Sequence, residues 1–385
     1  MRWTFLSQVW PEERDAIVSG SNVQVYYIAR ELAQRGEPVL VLLSGHQHQW
    51  ERCEGTLCVV SLPAVSQGLR GWLHPRWIRQ AERILKGFGP DVIYQRGKLP
   101  ETILAARYAR RYGTLFVWCS NADNSALRWK FVRKRLRYRR RPLWLLPARV
   151  AEAAAADYMI ERALRFAGLV IAQTRHQQRT LAPILGKEPT LVGSGHPLPP
   201  PPTWDPETTP VVLWLANLTP VKQPLAFVRL ARYLQHVPAR FLMAGAAPNP
   251  QLLADVRREA EGLHNFAYAG PVPFAANHQL FARSHLLVLT SLFEGLPNTL
   301  VQACLYGVPT ISLRNDPDGL IKTYGIGEVV PDEASLVRAV EQWVEDPERR
   351  RAAGERAYAL ARTQFDIRVV VDKLSALVLR HLRGS

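Results

Sequence analysis

The sequence predicts an α/β protein built from two doubly wound parallel-sheet domains with a cleft between them. Three observations support this fold class. Strand-like and helix-like segments alternate in both halves of the chain, the strand-like segments are short apolar runs, and a run of prolines separates the halves. Such alternation is typical of parallel sheets with right-handed crossovers. In these sheets ligands bind beyond the carboxyl ends of the strands.

The domain boundary is predicted at His196–Pro202, because four consecutive prolines continue neither a helix nor a central strand. The first domain is predicted at residues 1–195 and a semi-rigid proline-rich linker at 196–209. The second domain follows at 210–366. Residues 367–385 read as a final amphipathic helix.

The predicted elements fill both domains in the same manner, with apolar runs as buried strands and amphipathic stretches as helices. The first domain has strands at Trp3–Val9, Pro38–Ser44, Leu57–Leu62, Asp91–Tyr94, Thr114–Trp118 and Leu169–Ala172, and helices at Asn22–Arg35, Pro75–Phe88 and Pro100–Tyr112. The second has strands at Val211–Leu215, Arg240–Ala244, Phe266–Tyr268, Leu286–Leu289 and Thr310–Leu313, and helices at Pro224–Gln235, Pro250–Glu261, Ala275–Arg283, Leu300–Tyr306 and Ser335–Glu345.

Composition and cysteine content favour a cytoplasmic globular protein. The chain has 385 residues, of which 47% are hydrophobic, and it lacks an apolar run long enough to span a bilayer. Its first residues lack the features of a secretory signal peptide. The four cysteines show neither zinc-ligand spacing nor a CxxC pair, so free thiols in a reducing compartment are expected. Cys53 and Cys58 are expected to flank a hairpin.

The net charge of +16 is distributed unevenly. Residues 210–366 contain equal numbers of basic and acidic side chains, so the excess lies mainly in residues 1–209. Such asymmetry indicates an anionic partner for the first half of the chain, whether a membrane surface, a nucleic acid or a phosphorylated lipid.

The segment Ser291–Ala303 carries the strongest chemical signal. It follows a predicted strand and leads into a helix, which points backbone N–H groups and a helix N-terminus at a ligand edge, a suitable site for a diphosphate. Gly295 permits a close backbone approach, and Glu294 can accept hydrogen bonds from sugar hydroxyls. The alternative is structural, with Asn298 or Thr299 capping the helix.

A second segment, Leu215–Pro224, follows the first strand of the second domain. Its Lys222 is a compact cation that can neutralise a phosphate. Taken alone, a lysine in a loop is more often a solvated surface charge.

Taken together, these segments resemble the family 4 glycosyltransferases, which have the GT-B fold. The resemblance is carried by Glu294–Asn298 with Gln302-Ala303, by Asn217–Lys222, Tyr268–Val272 and Gly307–Thr310, and by Gly20–Asn22, Arg30–Gly36, Asp91–Arg96 and Ile171–Thr174. It spans nearly the whole chain and is stronger in the second domain. It implies an N-terminal acceptor-side domain, a C-terminal donor domain and a final helix that crosses back to the first domain.

The resemblance also implies roles for individual residues. Glu294 would contact the transferred sugar and Lys222 would bind the diphosphate. The donor-binding set is completed by residues of the neighbouring loops: Gly20, Ser21, Asn217, Gly270, Val272, Gly295, Leu296, Pro297, Asn298, Thr299 and Gln302. The donor would be a UDP- or GDP-linked sugar and the acceptor a glycan or a lipid-linked molecule. No cofactor and no metal are expected.

The chain departs from the family pattern at three places. Gln302 replaces the second glutamate of the motif, and a neutral amide can still bind a ribose hydroxyl. Asn217 replaces an arginine, so one cation for the diphosphate is missing. The N-terminal domain lacks the usual histidine after Thr114–Trp118, where Asp123 is the nearest titratable candidate; a loop-capping role for Asp123 is equally consistent with the sequence.

The reaction implied by the resemblance is metal-independent transfer with retention at the anomeric carbon, in polysaccharide or glycolipid synthesis. Asp316-Pro317-Asp318 resembles a metal-binding Asp-x-Asp motif of a different fold, but loop chemistry explains it better here. Two alternatives stay open: a nucleotide-sugar epimerase on the same fold, and a non-catalytic member that binds sugar or membrane.

The segment Arg128–Arg141 contains nine basic residues and no acidic one. Trp129, Val132 and Leu136 recur on one helical face, and a basic helix of this kind suits an anionic membrane surface. The predicted membrane-facing residues are Trp129, Arg133, Lys134, Arg135 and Arg137. The alternatives are a solvated helix packed on its own domain, and nucleic-acid binding, for which no recognition motif is present.

Overall fold

The computed structural model describes residues 1–12, 19–46, 49–63, 74–121, 123–126, 128–137, 143–203 and 209–384. The chain divides into two units. Unit 1 comprises Met1–Gly193 together with Val370–Ser385, and unit 2 comprises Ser194–Val369. The last stretch of chain therefore belongs to the unit in which the chain begins.

Unit 1 is built on an eight-stranded sheet in the order β3-β4-β2-β1-β5-β6-β7-β8. The strands are β1 Trp3–Ser7, β2 Val39–His46, β3 Trp50–Glu54, β4 Leu57–Pro63, β5 Val92–Arg96, β6 Leu115–Cys119, β7 Leu169–Ala172 and β8 Thr190–Leu191. All neighbours pair in parallel except β3 with β4, which form an antiparallel hairpin at the edge. The central strands are completely buried, as their continuous apolar runs predict.

The helices of unit 1 alternate with these strands. They are α1 Gly20–Gln34, α2 Pro75–Phe88, α3 Glu101–Tyr112, α4 Lys130–Arg137, α5 Leu146–Leu164 and α6 Arg175–Leu185. The final helix of the chain, Ile367–Arg383, contributes to this unit from Val370 onward. There Asp372 forms an ion pair with Arg35, with 2.5 Å between the guanidinium nitrogen and the carboxylate oxygen.

Unit 2 has a six-stranded parallel sheet in the order β11-β10-β9-β12-β13-β14. Its strands are β9 Val211–Leu215, β10 Arg240–Ala244, β11 Phe266–Tyr268, β12 Leu286–Leu289, β13 Thr310–Leu313 and β14 Gly327–Val330. Its helices are α7 Pro224–Tyr233, α8 Pro250–Glu259, α9 Asn277–Ala282, α10 Asn298–Leu305, α11 Leu320–Tyr324, α12 Glu333–Glu345 and α13 Pro347–Gln364; the final helix, Ile367–Arg383, is α14. Because the strand order reverses between β9 and β12, the switch point of this doubly wound sheet lies between them.

The predicted fold class is confirmed: two α/β domains with parallel sheets are present. Five predicted strands of the second domain match in their bounds, whereas β3, β8 and β14 were not predicted. β3 is exposed and rich in charge, so it lacks the apolar signal of a buried strand. Among the described residues, no helix is long and apolar enough to cross a membrane.

The expectation that all four cysteines are free thiols is wrong for two of them. Cys53 and Cys58 do flank a hairpin, where they pair in register across β3 and β4 and form a disulfide. Directly opposed residues in an antiparallel pair bring their side chains close enough for this bond, which the sequence spacing alone does not reveal. Cys119 and Cys304 are free and buried.

Candidate functional site

The candidate site lies at the switch point of the unit 2 sheet. β9 and β12 are neighbours and run parallel, so the loops that leave Leu215 and Leu289 emerge at the same edge. The first loop ends in a short 3-10 helix, Pro220–Lys222, and the second carries Glu294. Ligands of doubly wound sheets bind at this position.

Lys222 and Glu294 meet at this edge. The ammonium group of Lys222 donates a hydrogen bond to Oε1 of Glu294. The side chains remain 30% and 13% exposed, respectively, so both are accessible from solvent. Sequence reasoning selected both residues, and the structure brings them into direct contact.

A chain of buried hydrogen bonds holds the Lys222 loop against β12. The indole Nε1 of Trp214 donates to the hydroxyl of Thr290 over 2.8 Å. That hydroxyl in turn donates to the carbonyl oxygen of Lys222 over 2.6 Å. Because Trp214 and Thr290 are almost completely buried, these bonds form away from competing water.

Two further backbone contacts fix the neighbouring residues. The N–H of Leu292 donates to the carbonyl of Val221 over 2.8 Å, and the Asn315 amide donates to the carbonyl of Ser291. Trp214, Thr290 and Asn315 were not selected from the sequence. A signal was available for Thr290, because a polar residue directly after the buried strand β12 points into the ligand edge.

The segment Glu294–Gln302 leads directly into α10. The helix begins at Asn298, its N-cap residue is Pro297, and no side chain caps it. The alternative in which Asn298 or Thr299 caps the helix is therefore wrong. The first N–H groups of a helix have no partner within it and carry a partial positive charge, so this end suits an anion. Gly295, Leu296 and Thr299 are half-buried beside it, and Gln302 lies half-buried within the helix.

His196 is a neighbour of this segment that sequence reasoning missed. It is buried and hydrogen-bonded to the Asn298 side chain, and burial lowers its pKa to about 4. Its N–H and carbonyl bind Phe365 and Ile367 over 2.9 Å each. A neutral imidazole thus forms a hydrogen bond with the side chain of the first residue of α10.

The other donor-binding candidates of unit 2 lie after β9 and β11. Asn217 is exposed after β9, and Gly270 and Val272 are half-buried after β11. The backbones of Gly245 and Gly270 are joined by a hydrogen bond of 2.9 Å. A Cβ on Gly245 would lie 1.8 Å from the Ala216 carbonyl oxygen, so only glycine allows these loops to pass so closely.

In unit 1 the candidates are spread along the corresponding edge. Gly20 and Ser21 form the start of α1 rather than a loop before it, and Ser19 caps this helix by accepting from the Asn22 N–H. Asp123 is half-buried at the start of a short 3-10 helix, and its Oδ1 accepts from the Gln177 amide over 3.1 Å. Asp123 therefore has a structural partner, in agreement with its loop interpretation.

The carboxyl ends of β1, β2 and β5 also carry buried charges that were not selected from the sequence. The carboxyl group of Glu101 accepts a hydrogen bond of 2.7 Å from the Ser44 hydroxyl, and burial raises its pKa to about 7. Lys98 is buried and paired with Glu161 over 2.5 Å. Glu101 and Lys98 are therefore shielded from solvent.

The basic helix α4 is docked through its first turn. The Asp157 carboxylate accepts from the N–H groups of Phe131 and Val132 over 2.9 and 3.0 Å, and the Trp129 N–H donates to Glu161 over 3.0 Å. Burial, together with the charges of Lys98 and Lys134, lowers the pKa of Lys130 to about 8.

The outer face of α4 is open to solvent. Arg133, Lys134 and Arg135 are exposed, and Trp129 is 43% exposed. The side chain of Arg137 lies outside the described residues, as do residues 138–142. The three apolar residues on one face of this segment differ in exposure: Val132 is half-buried, whereas Leu136 and Trp129 are exposed to solvent.

Two groups deserve comparison with a metal site. Asp316 caps α11 by accepting from the N–H groups of Ile321 and Lys322 over 2.8 and 3.2 Å, which agrees with the loop interpretation of Asp316-Pro317-Asp318. Ligand atoms of Glu51, Cys53 and Cys58 lie within 4.8 Å of one another. The disulfide between the two cysteines occupies both sulfur atoms, so they offer no thiolate.

Comparison with known families accounts for both units. A family model described as "Glycosyl transferase 4-like domain" matches residues 19–192, and one described as "Glycosyl transferases group 1" matches residues 202–360. The chain belongs to the group 1 glycosyltransferases of the GT-B fold. The second match contains Lys222, Glu294 and α10. Glycosyltransferase activity follows from this membership, and the epimerase and non-catalytic alternatives are not favoured.

Individual relatives support the same assignment. The chain is 26% identical over 383 residues to the 2-deoxystreptamine N-acetyl-D-glucosaminyltransferase of Streptomyces fradiae, covering 89% of this chain and 86% of that enzyme. Its fold is similar to that of sucrose-phosphate synthase from Thermosynechococcus elongatus, with a TM-score of 0.78, 14% identity and 100% of each chain covered. It is also similar to Anabaena HepE in complex with UDP-glucose, with a TM-score of 0.72, 17% identity and 100% of each chain covered.

Proposed function

We propose that this glycosyltransferase binds a UDP- or GDP-linked sugar at the switch point of unit 2 and transfers the sugar with retention of anomeric configuration. The contact between Lys222 and Glu294 carries this proposal. It joins a cation suited to a diphosphate and a carboxylate suited to sugar hydroxyls at one accessible point beside a helix N-terminus. The structural neighbour bound to UDP-glucose supports this class of donor.

Each part of the edge has a proposed task. Lys222 and the first N–H groups of α10 bind the diphosphate, with Asn217 as a polar neighbour. Glu294 and the backbone from Gly295 to Thr299 hold the sugar. Gln302 binds a ribose hydroxyl, and Gly270 with Val272 lies against the base. In unit 1, Gly20 and Ser21 approach the donor phosphates at the start of α1.

In the proposed reaction the bond between the anomeric carbon and the diphosphate oxygen breaks, and its electron pair stays on the phosphate. The acceptor hydroxyl oxygen bonds to the same carbon, and its proton passes to the departing phosphate oxygen. The negative charge that develops is stabilised by Lys222 and by the dipole of α10. This step uses no metal, so chelation should leave the rate unchanged.

The domains have separate proposed roles. Residues 1–195 bind the acceptor, 196–209 link the domains, 210–366 bind the donor, and 367–385 return the chain to the first domain. The acceptor is a glycan or a lipid-linked molecule of polysaccharide or glycolipid synthesis. Asp123 is the proposed contact to sugar or acceptor in the first domain. The enzyme acts in the cytoplasm at the inner face of the cell membrane.

A donor screen tests the catalytic proposal. Nucleotide sugars are presented singly, and binding is followed by thermal shift, because a ligand of the native state stabilises it by mass action. Turnover of the donor that binds is then compared between the wild type, Glu294→Ala and Glu345→Ala, an exposed carboxylate at the end of α12. We expect loss of turnover only in Glu294→Ala. Equal turnover in all three proteins would remove Glu294 from the site.

Contact with an anionic membrane is proposed for the outer face of α4. The helix is anchored by Asp157 through its backbone, so its exposed basic side chains are left to face a partner. Each basic residue near an anionic bilayer contributes about 1 kcal/mol. Nucleic acid is not expected as a partner.

Vesicle flotation tests this contact. Arg133→Gln, Lys134→Gln and Arg135→Gln are combined in one variant, and the control combines Arg76→Gln, Arg79→Gln and Arg83→Gln, which remove the same charge from exposed positions of α2. We expect the α4 variant alone to lose flotation with vesicles that contain phosphatidylglycerol. Equal flotation of the two variants would exclude α4 as the contact.

A further inference from the structure

Unit 1 has a groove that is lined by none of the candidate site residues. It is open to solvent, runs between the second half of α3 and the second half of α5, and has a volume of about 580 Å³. Its floor is apolar and contains the buried Ala106 and Ala163, and the exposed rings of Tyr158 and Phe166 stand beside it. Volumes of this size are typical of sites that hold a small molecule.

Four arginines converge on this groove. They come from two helices: Arg107, Arg110 and Arg111 from α3, and Arg162 from α5. Both helices end here, and basic residues are favourable in the last turn of a helix. That preference explains each arginine singly, but it does not require them to line one apolar cavity.

The arginines are poorly neutralised by the protein. Arg107 pairs with Glu82 over 2.6 Å. Within the described ranges, no carboxylate lies within ion-pair distance of Arg110, Arg111 or Arg162. Like charges that line one groove repel one another, and an anion bound among them would relieve the repulsion.

The orientation of Arg110 favours an anionic ligand further. Its guanidinium carbon lies 4.4 Å from the ring centroid of Phe166. A guanidinium that lies over an aromatic ring keeps N–H donors in its plane available for a phosphate. The same two residues therefore offer an apolar wall and a phosphate-binding edge.

We propose that the α3–α5 groove binds one anionic phospholipid, with an acyl chain along the apolar floor and the phosphodiester among Arg110, Arg111 and Arg162. This ligand complements the groove, because the groove is both apolar and basic and a phospholipid of this kind is both apolar and anionic. The groove is separate from the outer face of α4, which packs against Asp157 and Glu161 of α5. None of the residues that line the groove belongs to the proposed donor-binding set.

Short-chain ligands test the proposal on the full-length protein. Dihexanoylphosphatidylglycerol, used below its micelle concentration, carries both required parts. Dihexanoylphosphatidylcholine has the same chains without net charge, and glycerol phosphate has the anionic group without chains. Binding is measured by calorimetry, and we expect phosphatidylglycerol to bind at least about tenfold more tightly than either control, since charge-assisted hydrogen bonds and apolar contact both contribute. Equal binding of either control would overturn the proposal.

Matched variants locate the ligand. Arg110→Gln with Arg162→Gln removes two charges from the groove, and Arg76→Gln with Arg83→Gln removes two exposed charges from α2 of the same unit. We expect the first pair to lower the affinity about tenfold and the second to leave it nearly unchanged. Tyr158→Ser with Phe166→Ser removes the exposed walls and should weaken binding without a change in charge. Equal losses in the groove and α2 variants would show general electrostatic attraction and refute the groove. Donor turnover is measured in parallel in the wild type. Absence of turnover there would contradict the proposed donor site, whereas the lipid-binding results test the groove alone.

Discussion

The charged side chains at the carboxyl edges of the two sheets differ in their exposure to solvent. In unit 2, Lys222 and Glu294 are partly exposed, and their loops are fixed by buried hydrogen bonds of neutral groups. In unit 1, Lys98 and Glu101 are almost completely buried and occupied with packing partners. A charge that is accessible and held in place can serve a ligand, whereas a charge that is buried and paired mainly organises the fold. The difference in exposure therefore supports the proposal that unit 2 binds the donor.

The largest effect is expected from removing the accessible cation. Lys222→Ala should lower kcat by roughly a hundredfold or more, because stabilisation of the departing charge is lost. Lys322→Ala, an exposed lysine of α11 in the same unit, is the control and should be nearly neutral. Steady-state kinetics with the identified donor measure both. Similar rates for Lys222→Ala and the wild type would contradict the proposal that the accessible charge at the edge of unit 2 serves the donor.

The buried support of Lys222 should matter next. Thr290→Val leaves the indole N–H of Trp214 and the carbonyl of Lys222 without their partner, at a cost of roughly 1–3 kcal/mol. We expect about a tenfold loss of turnover, since the lysine loop loses its anchor. Thr310→Val is a matched control, because the Thr310 hydroxyl is buried and has no hydrogen-bond partner among the described residues. A comparable loss of turnover in both variants would argue against a positioning role for Thr290.

The stability of the two units should also change with pH in opposite directions. Burial raises the pKa of Glu101 in unit 1 to about 7, so native unit 1 retains a proton that the unfolded chain loses above its usual value of 4.5. The free energy of unfolding should therefore fall as pH rises from 4.5 to 7. Burial lowers the pKa of His196 in unit 2 from 6.5 to about 4. The contribution of His196 to the free energy of unfolding is therefore fully present above pH 6.5 and is lost as pH falls toward 4.

Chemical denaturation across this pH range, with Glu101→Gln and His196→Asn, separates the two contributions. The two windows overlap between pH 4.5 and 6.5, so the substitutions are distinguished by sign: Glu101→Gln should leave a stability that rises with pH there, and His196→Asn one that falls with pH. Parallel pH profiles for the wild type and both variants would show that neither group titrates as its burial indicates.

The smallest effect is expected at the hairpin of unit 1. Cys53→Ser with Cys58→Ser removes a disulfide that closes a very short loop between strands already paired. The loss of stability should be no more than about 2 kcal/mol, because the entropy gained by the unfolded chain is small for short loops. Thermal unfolding with and without reductant measures it. A collapse of unit 1 on reduction would mean that its edge depends on this bond.

The sequence predicts the candidate residues at the edge of unit 2 better than those at the edge of unit 1 for a physical reason. Glu294, Lys222 and the start of α10 follow apolar strands along the chain, so local pattern locates them. The supports of that edge are distant in sequence: Trp214 reaches Thr290 across 76 positions, and His196 reaches Asn298 across a still longer interval. Such contacts depend on strand order, which no local pattern reports.

Contacts between residues distant in sequence also explain why the features of the first domain were not predicted. The position of Asp123 after β6 indicates a candidate site residue, but its hydrogen-bond partner Gln177 comes 54 residues later. The disulfide depends on the exact register of β3 with β4, and β3 has no apolar signal. The α3–α5 groove is assembled from two helices whose separate patterns look like ordinary basic surfaces. None of these features is visible before the helices and strands are placed together.

The division of the chain has a consequence for its synthesis. Unit 1 includes Val370–Ser385, so its last helix leaves the ribosome only after all of Ser194–Val369 has been made. At about 5–20 residues per second, the first 193 residues wait roughly ten to thirty-five seconds for their final segment. During that interval the nascent domain exposes the apolar surface that Val371, Leu374 and Val378 will cover. The speed of translation over Ser194–Val369 thus sets how long unit 1 stays incomplete.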